Sequence, residues 1–280
     1  MPTFDTPQPI SVSMELPAGA VRLSGGERAT TVVDVQPTDP SNDEDVRAAQ
    51  DTRVEYAGER LIVKSPKQGL RFSRRGGSVD VTIELPAGSN VDGTAGSADF
   101  DCDGQLGDCR LRTALGRIRI DRAGTLSVKT ASGHVDIETA TGHADIATSS
   151  GDVRVGKLDD SGVVKTGNGD TWIGTAGGDL RVGTANGSIA VEHANRNVGA
   201  KTANGDVRVG EVVRGSVVLQ THRGDLEVGI REGTSAWLDL SAVAGRVRND
   251  LDEADAPDPA APTVEVSART TLGDVTVRRA

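Results

Sequence analysis

From Gly124 to Val213, apolar and polar positions recur every nine residues without a slip. Written from its glycine, one rung reads Gly133-His-Val-Asp-Ile-Glu-Thr-Ala-Thr, and later rungs read Gly178-Asp-Leu-Arg-Val-Gly-Thr-Ala-Asn and Gly205-Asp-Val-Arg-Val. Rungs begin at 124, 133, 142, 151, 160, 169, 178, 187, 196 and 205, with Asp160 and Arg196 standing where the others carry glycine. Positions three and five are apolar, as in Val135/Ile137, Val153/Val155, Leu180/Val182, Ile189/Val191 and Val207/Val209. Alternation at period two places them on one face of a short strand. The usual threonine at position seven (Thr130, Thr139, Thr166, Thr175, Thr184, Thr202) is expected to continue that face. Positions eight, nine and one are small or turn-forming, as in Ala203-Asn204-Gly205, where Asn and Gly tolerate left-handed backbone. A short fixed period of this kind is the signature of a stacked solenoid.

The ninth position sets the size of the coil. Alternate rungs give Ser132, Ser150, Asn168, Asn186 and Asn204, while those between give Thr141, Asp159, Gly177, Asn195 and Val213. A coil of eighteen residues with two unlike sides gathers like residues into one column. A twenty-seven-residue coil would stack Arg154, Arg181 and Arg208 at the ~4.8 Å strand spacing, which is repulsive. With eighteen, the outward fourth-position column runs Asp136, Arg154, Trp172, Ala190, Arg208, so Arg154 can lie on Trp172 as a cation–π pair. The competing geometry is an antiparallel meander of tight Asn-Gly hairpins, which fits the column chemistry less well.

The flanks divide the chain. Residues 1–112 read as a degenerate, strand-rich capping segment continuous with the solenoid, with alternation in Ile10-Ser-Val-Ser-Met-Glu-Leu and Val79-Asp-Val-Thr-Ile-Glu-Leu. Two Glu-Leu-Pro-Ala-Gly turns, at Glu15 and Glu84, end strands in matching ways. One short helix is predicted here, opened by a capping box of Ser41 and Glu44. Residues 113–280 read as the β-solenoid. They carry an acidic, proline-rich loop at 250–262 and a last rung, Leu272-Gly-Asp-Val-Thr-Val, which together are expected to cover the far end.

Composition narrows the core. Thirty-five glycines stand against six aromatics (Phe4, Tyr56, Phe72, Phe100, Trp172, Trp237), so Val, Ile, Leu, Ala and Thr must fill thin layers. A net charge of −10 disfavours direct nucleic-acid binding, and no apolar run approaches the ~18–20 residues that span a bilayer, so membrane insertion is not expected. Met1-Pro-Thr-Phe-Asp-Thr-Pro-Gln-Pro lacks the features of a secretory signal, and the expected location is cytoplasmic. Cys102 and Cys109, the two cysteines, are expected to be reduced thiols.

The Gly-Asp-Val-Arg-Val and Thr-Ala-Asn-Gly-Asp units, the Asn168-Gly-Asp-Thr-Trp-Ile-Gly variant and the closing Leu-Gly-Asp-Val-Thr-Val resemble the bacterial β-strand-repeat domain of unknown function labelled "putative adhesin". The resemblance covers most of the chain. It implies an all-β, single-stranded β-helix or β-roll of bacterial origin, and it implies no catalytic residues.

The residues themselves offer little chemistry. Calcium-binding β-rolls need Gly-Gly-x-Gly-x-Asp, whereas here Asp152, Asp170, Asp179 and Asp206 follow their glycines without the full motif, so no metal or other cofactor is expected. A lyase would need clustered carboxylates and a base, but acids and arginines are spread along the ladder. His222 and Asp225 lie close in sequence with no supported nucleophile. Surface candidates are the basic cluster Lys64, Lys67, Arg71, Arg74 and Arg75, and the ladder residues Arg154, Trp172 and Arg208. The reading is a non-enzymatic scaffold that engages an unknown protein partner or self-associates. Its rivals are an acidic mimic of nucleic acid and a polysaccharide-binding or lyase β-helix.

Overall fold

A computed structural model describes residues 1–66, 77–251 and 262–280, which form two compact units, Met1–Thr141 and Gly142–Ala280. Both are parallel β-solenoids, and among the described residues there is one helix.

In the first unit, β1 spans Thr3–Asp5, β2 Ser11–Gly26, β3 Thr30–Pro37, α1 Asp43–Asp51, β4 Arg53–Ala57, β5 Arg60–Lys64 and β6 Val79–Pro86. β7 spans Asn90–Gln105, β8 Cys109–Leu115, β9 Ile118–Ala123, β10 Leu126–Ser132 and β11 Val135–Ala140. β2 and β7 lie parallel from Ser11↔Asn90 to Gly25↔Gly104, each turning a whole coil. β8 and then β10 continue the first side of that coil, and β9 and then β11 continue the second, all parallel. Beyond β2, the parallel strands β5 and β6 give way to antiparallel ones: β4 on β5, β3 on β6 and β1 on β3. The Phe4 and Tyr56 rings meet at 5.2 Å, and α1 packs on β3 and β6.

The helix starts one residue later than the capping box implies. Asn42 is the N-cap, its Oδ1 accepting the Glu44 amide at 2.9 Å, while Ser41 turns back to Asp39. An Asn and a Ser compete here for one cap, and the Asx turn at Asp39 takes the serine. Asp45, buried on α1, accepts the backbone amides of Ser78 (2.8 Å) and Asp39 (3.1 Å) and so ties the helix to both flanking segments.

In the second unit, β12 (Ala144–Ser150), β14 (Gly162–Asn168), β16 (Leu180–Asn186), β18 (Val198–Lys201) and β20 (Gly215–Arg223) stack as one side. β13 (Val153–Leu158), β15 (Thr171–Ala176), β17 (Ile189–Ala194), β19 (Val207–Val212) and β21 (Leu226–Ile230) stack as the other. Ala144 sits beside Gly162, which sits beside Leu180 and then Val198, so the coil advances by eighteen residues and the meander is excluded.

The two sides differ in phase. On the first, positions three, five and seven point inward, and Thr148, Thr166, Thr202 and Thr221 are buried in a column that Thr184, half-exposed, interrupts. The hydroxyls of Thr202 and Thr221 donate to the carbonyls of Gly187 and Gly205 at 3.0 Å. On the second side the alternation slips after position five. Thr175 is half-exposed, as is Thr139 on the corresponding side of the first unit, while Leu158, Ala176, Ala194 and Val212 at position eight fill the core. Position seven therefore continues the apolar face on alternate rungs only. The slip occurs whether position six is glycine (Gly156, Gly174, Gly210) or glutamate (Glu138, Glu192).

The last four strands break sequence order. β22 spans Ser235–Ala244, β23 Val247–Asn249, β24 Thr263–Leu272 and β25 Val275–Arg279. β24 inserts between β20 and β22, and β25 between β21 and β23. The last rung is thus internal, and β22–β23 form the terminal coil, contrary to the expectation that the last rung covers the end. Side-chain chemistry explains the exchange. The inward residues Val264, Val266, Ala268, Val275 and Val277 are completely buried, with Thr270 the one polar member of their face, whereas Asn249 and Val247 in the terminal coil stay exposed. An apolar coil gains most by having neighbours on both sides.

Corner glycines set the pitch. At Gly169, Gly187 and Gly205 the backbone lies at φ 137–143°, and a Cβ on any of them would fall onto the carbonyl of the glycine one coil before. Asp160 and Arg196 occupy the opposite corner. Gly187→Ala is expected to destabilise the second unit by about 1–3 kcal/mol in denaturant titration. Gly183→Ala, where a Cβ meets nothing within 4 Å, is expected to be neutral or slightly stabilising.

Candidate functional site

The corner polar groups are spent on holding coil to coil. Asp152 Oδ1 accepts the Asp170 amide (2.9 Å), Asp170 that of Ser188 (2.8 Å), Asp206 that of Asp225 (2.8 Å) and Asp225 that of Asp274 (2.7 Å). These are the Gly-Asp carboxylates in which a calcium reading would look for ligands. Each of these four instead caps a backbone N–H, Asp179 accepts from Asn197 Nδ2 at 3.0 Å, and among the described residues no three His, Cys, Asp or Glu side chains gather in a group that could hold a metal ion. Beside them runs an asparagine ladder: Asn204 Nδ2 donates to Asn186 Oδ1 (2.9 Å), and Asn186 Nδ2 donates to Asn168 Oδ1 (2.7 Å). His222 faces Thr271 Oγ1 at 3.3 Å, so it and Asp225 serve different neighbours and form no catalytic pair.

Arg154, Trp172 and Arg208 project from β13, β15 and β19 in one outward column. Arg154 lies over the Trp172 ring at 4.2 Å from the centroid, and the indole Nε1 donates to Glu192 Oε1 at 3.1 Å. Arg208 stands in register with Glu227, whose carboxylate is 3.8 Å from Arg208 Nε and 2.8 Å from Arg278 Nε. On the same side, Glu211 is held between Arg231 and His193, and the hydrogen bond from Arg231 keeps its carboxyl below the usual range. The column is a rigid, mixed-charge surface carrying an aromatic plate, and it holds no nucleophile.

The basic cluster is only partly in view. Lys64 pairs with Glu15 at 2.8 Å across β5 and β2. Lys67, Arg71, Arg74 and Arg75 lie outside the described residues.

Sequence reading missed a groove of about 540 Å³ on the first unit. It runs across the starts of β5, β2, β7, β8 and β10 beside the Gly58-Glu59 hairpin turn, where Glu59 takes φ 61°. Arg60, Ser11, Ser13, Asn90, Asp92 and Arg110 line it, with Arg110 3.6 Å from Asp92. Asn90 Oδ1 accepts the Asp108 amide at 2.7 Å, so here too part of the polar lining is structural. These residues come from five separated segments that share no common motif, so only the coil register brings them together.

Cys102 and Cys109 are unpaired and buried, as expected of reduced thiols. Burial pushes the Cys109 thiol up to about 12 and raises Cys102 well above its ordinary value. A thiol harder to ionise in the fold than in the open chain contributes stability below its unfolded pKa and loses it as pH rises towards the folded value. Unfolding free energy is therefore expected to fall between about pH 9 and 12, the interval between the ordinary and folded values of Cys109. Cys102→Ala with Cys109→Ala is expected to flatten that slope in denaturant titrations across the range.

No helix among the described residues is long and apolar enough to cross a membrane. Three solved structures are similar to the chain along its whole length. A "putative adhesin" from Bacteroides fragilis has 11% identity, 100% of this chain and 95% of that one covered, and a TM-score of 0.42. A "putative cell adhesion protein" from Clostridium sporogenes has 11% identity, 100% and 98% covered, and a TM-score of 0.25. A "putative lipid binding protein" from Parabacteroides distasonis has 9% identity, 100% and 95% covered, and a TM-score of 0.35. None of the curated proteins matches the chain. The decisive comparison is with a family of repeat proteins, Toastrack DUF4097, which matches residues 15–278, from within β2 to within β25; the chain belongs to that family.

Proposed function

We propose that this chain is a non-enzymatic interaction scaffold that presents its rigid sheet surface to a protein partner. The observation that supports this most is where the polar groups go. Along the second unit the corner carboxylates and asparagines bond to equivalents one coil away, so the repeated polar groups are spent on stacking rather than gathered round a reacting centre. Among the outward side chains stands the column of Arg154, Trp172 and Arg208, and Trp and Arg are residue types enriched among the anchors of protein interfaces. Their side chains are held by neighbours in the next coil, so binding through them would cost little ordering entropy.

Mimicry of nucleic acid is less well supported. Arg154, Arg181, Arg208 and Arg246 interrupt any continuous negative stripe along the ladder. A cytoplasmic location is part of the proposal, and the unpaired thiols are in keeping with a reducing compartment.

The test is charge reversal on the column. Arg154→Glu with Arg208→Glu is expected to keep the far-UV circular dichroism spectrum while losing whatever co-purifies with the wild-type chain from its native host. Undiminished capture by the folded double variant would contradict the proposal.

A further inference from the structure

The exposed apolar side chains are not scattered. Of the six large ones among the described residues, Trp237, Val243, Val247 and Leu272 belong to the terminal coil β22–β23 or to the strand beside it, with Trp237 67% and Val243 78% exposed. The coil's inward residues Leu238 and Leu240 are only half-buried, although Val266 and Ala268 beside them are sealed. Among the described residues, no strand pairs with the outer edge of β22, which is ten residues long and carries one charge, Asp239, paired with Arg269 at 2.6 Å. The edge strands of the first unit are built differently. β1 has three residues, and β4 has five with Arg53 and Glu55 facing outward, which are devices that blunt an edge.

We propose that β22 is the seam of a two-fold dimer, pairing antiparallel with β22 of a second copy in a register centred on Leu240. This rests on the interaction-scaffold reading and names a second copy of the chain as one occupant. The argument is self-complementarity. Centred on Leu240, the register sets Trp237 against the second copy's Val243, Leu238 against Ala242, Asp239 against Ser241, and Leu240 against its own equivalent. Every apolar residue then meets an apolar one, and no like charges oppose. Centring on Asp239 would place carboxylate against carboxylate. Centring on Ser241 would set Asp239 against Val243 and leave Trp237 over Gly245. A shift of half a step would set the inward Leu240 against the outward Asp239 or Ser241. A two-fold seam uses the same edge on both copies and closes on itself, so it yields a dimer rather than a filament.

Three variants and one measurement test this. Sedimentation across a concentration series is expected to show a monomer–dimer equilibrium for the wild-type chain. Ser241→Asp sits beside Arg269 within its own chain, so folding should persist. Across the seam it opposes Asp239 twice by symmetry, and the dimer dissociation constant is expected to rise roughly tenfold. Leu240→Cys meets its own equivalent, with Cβ atoms ~4.5–5.5 Å apart, and mild oxidation is expected to trap a covalent dimer, whereas Ala236→Cys should not be trapped. A wild-type chain that stays monomeric at every concentration overturns the proposal. So does a dimer indifferent to Ser241→Asp and untrapped by Leu240→Cys. Either result would leave partner capture through Arg154 and Arg208 standing as a separate matter.

Discussion

The close approach of corner to corner is what the rest of the structure depends on. At Gly169, Gly187 and Gly205 the backbone of one coil rests against the glycine carbonyl of the coil before, in a conformation side chains rarely adopt. That contact fixes the spacing at which Asp carboxylates reach the next amide, asparagines reach each other and inward Val, Ile and Leu stack in columns. At the opposite corner neither Asp160, Gly178 nor Arg196 takes a positive φ, which is why the glycine signal appears at every nine residues but is strict only at every eighteen.

Much of this was legible in the sequence. The alternation of Asn168, Asn186 and Asn204 with unlike residues signals an eighteen-residue coil, and the same arithmetic puts Arg154 on Trp172. What the sequence concealed depends on choices between near-equivalent partners. Thr175 and Thr166 look alike at position seven, yet one is half-exposed and the other buried, because the phase after position five is set by the backbone of each side rather than by the threonine. Rungs Gly245-Arg-Val-Arg and Gly273-Asp-Val-Thr-Val read alike, and only burial of the inward set decides which becomes internal. The groove beside Gly58 and Glu59 gathers segments far apart in sequence, so it had no local signature at all.

The same logic links architecture to function. A fold that spends its repeated polar groups on stacking has few left for chemistry, but it holds every outward side chain at fixed spacing. The Arg154–Trp172 plate and the Arg208–Glu227–Arg278 cluster are ordered by the coils beneath them. The terminal coil is the exception, since its inward leucines Leu238 and Leu240 are only half-buried and among the described residues no strand stacks beyond them.

The central claim is that strands eighteen residues apart are neighbours, and paired cysteines test it most directly. Lys165 and Gly183 stand side by side on adjacent parallel strands, and Gly183 has open space for a side chain. At the ~4.8 Å strand spacing, Lys165→Cys with Gly183→Cys should form an intramolecular disulfide on mild oxidation, while Lys165→Cys with Trp172→Cys, which a hairpin turning at Asn168-Gly169 would set opposite each other, should not. Ready cross-linking of the 165–172 pair with none for the 165–183 pair would mean the rungs meander as hairpins, and the account would fail.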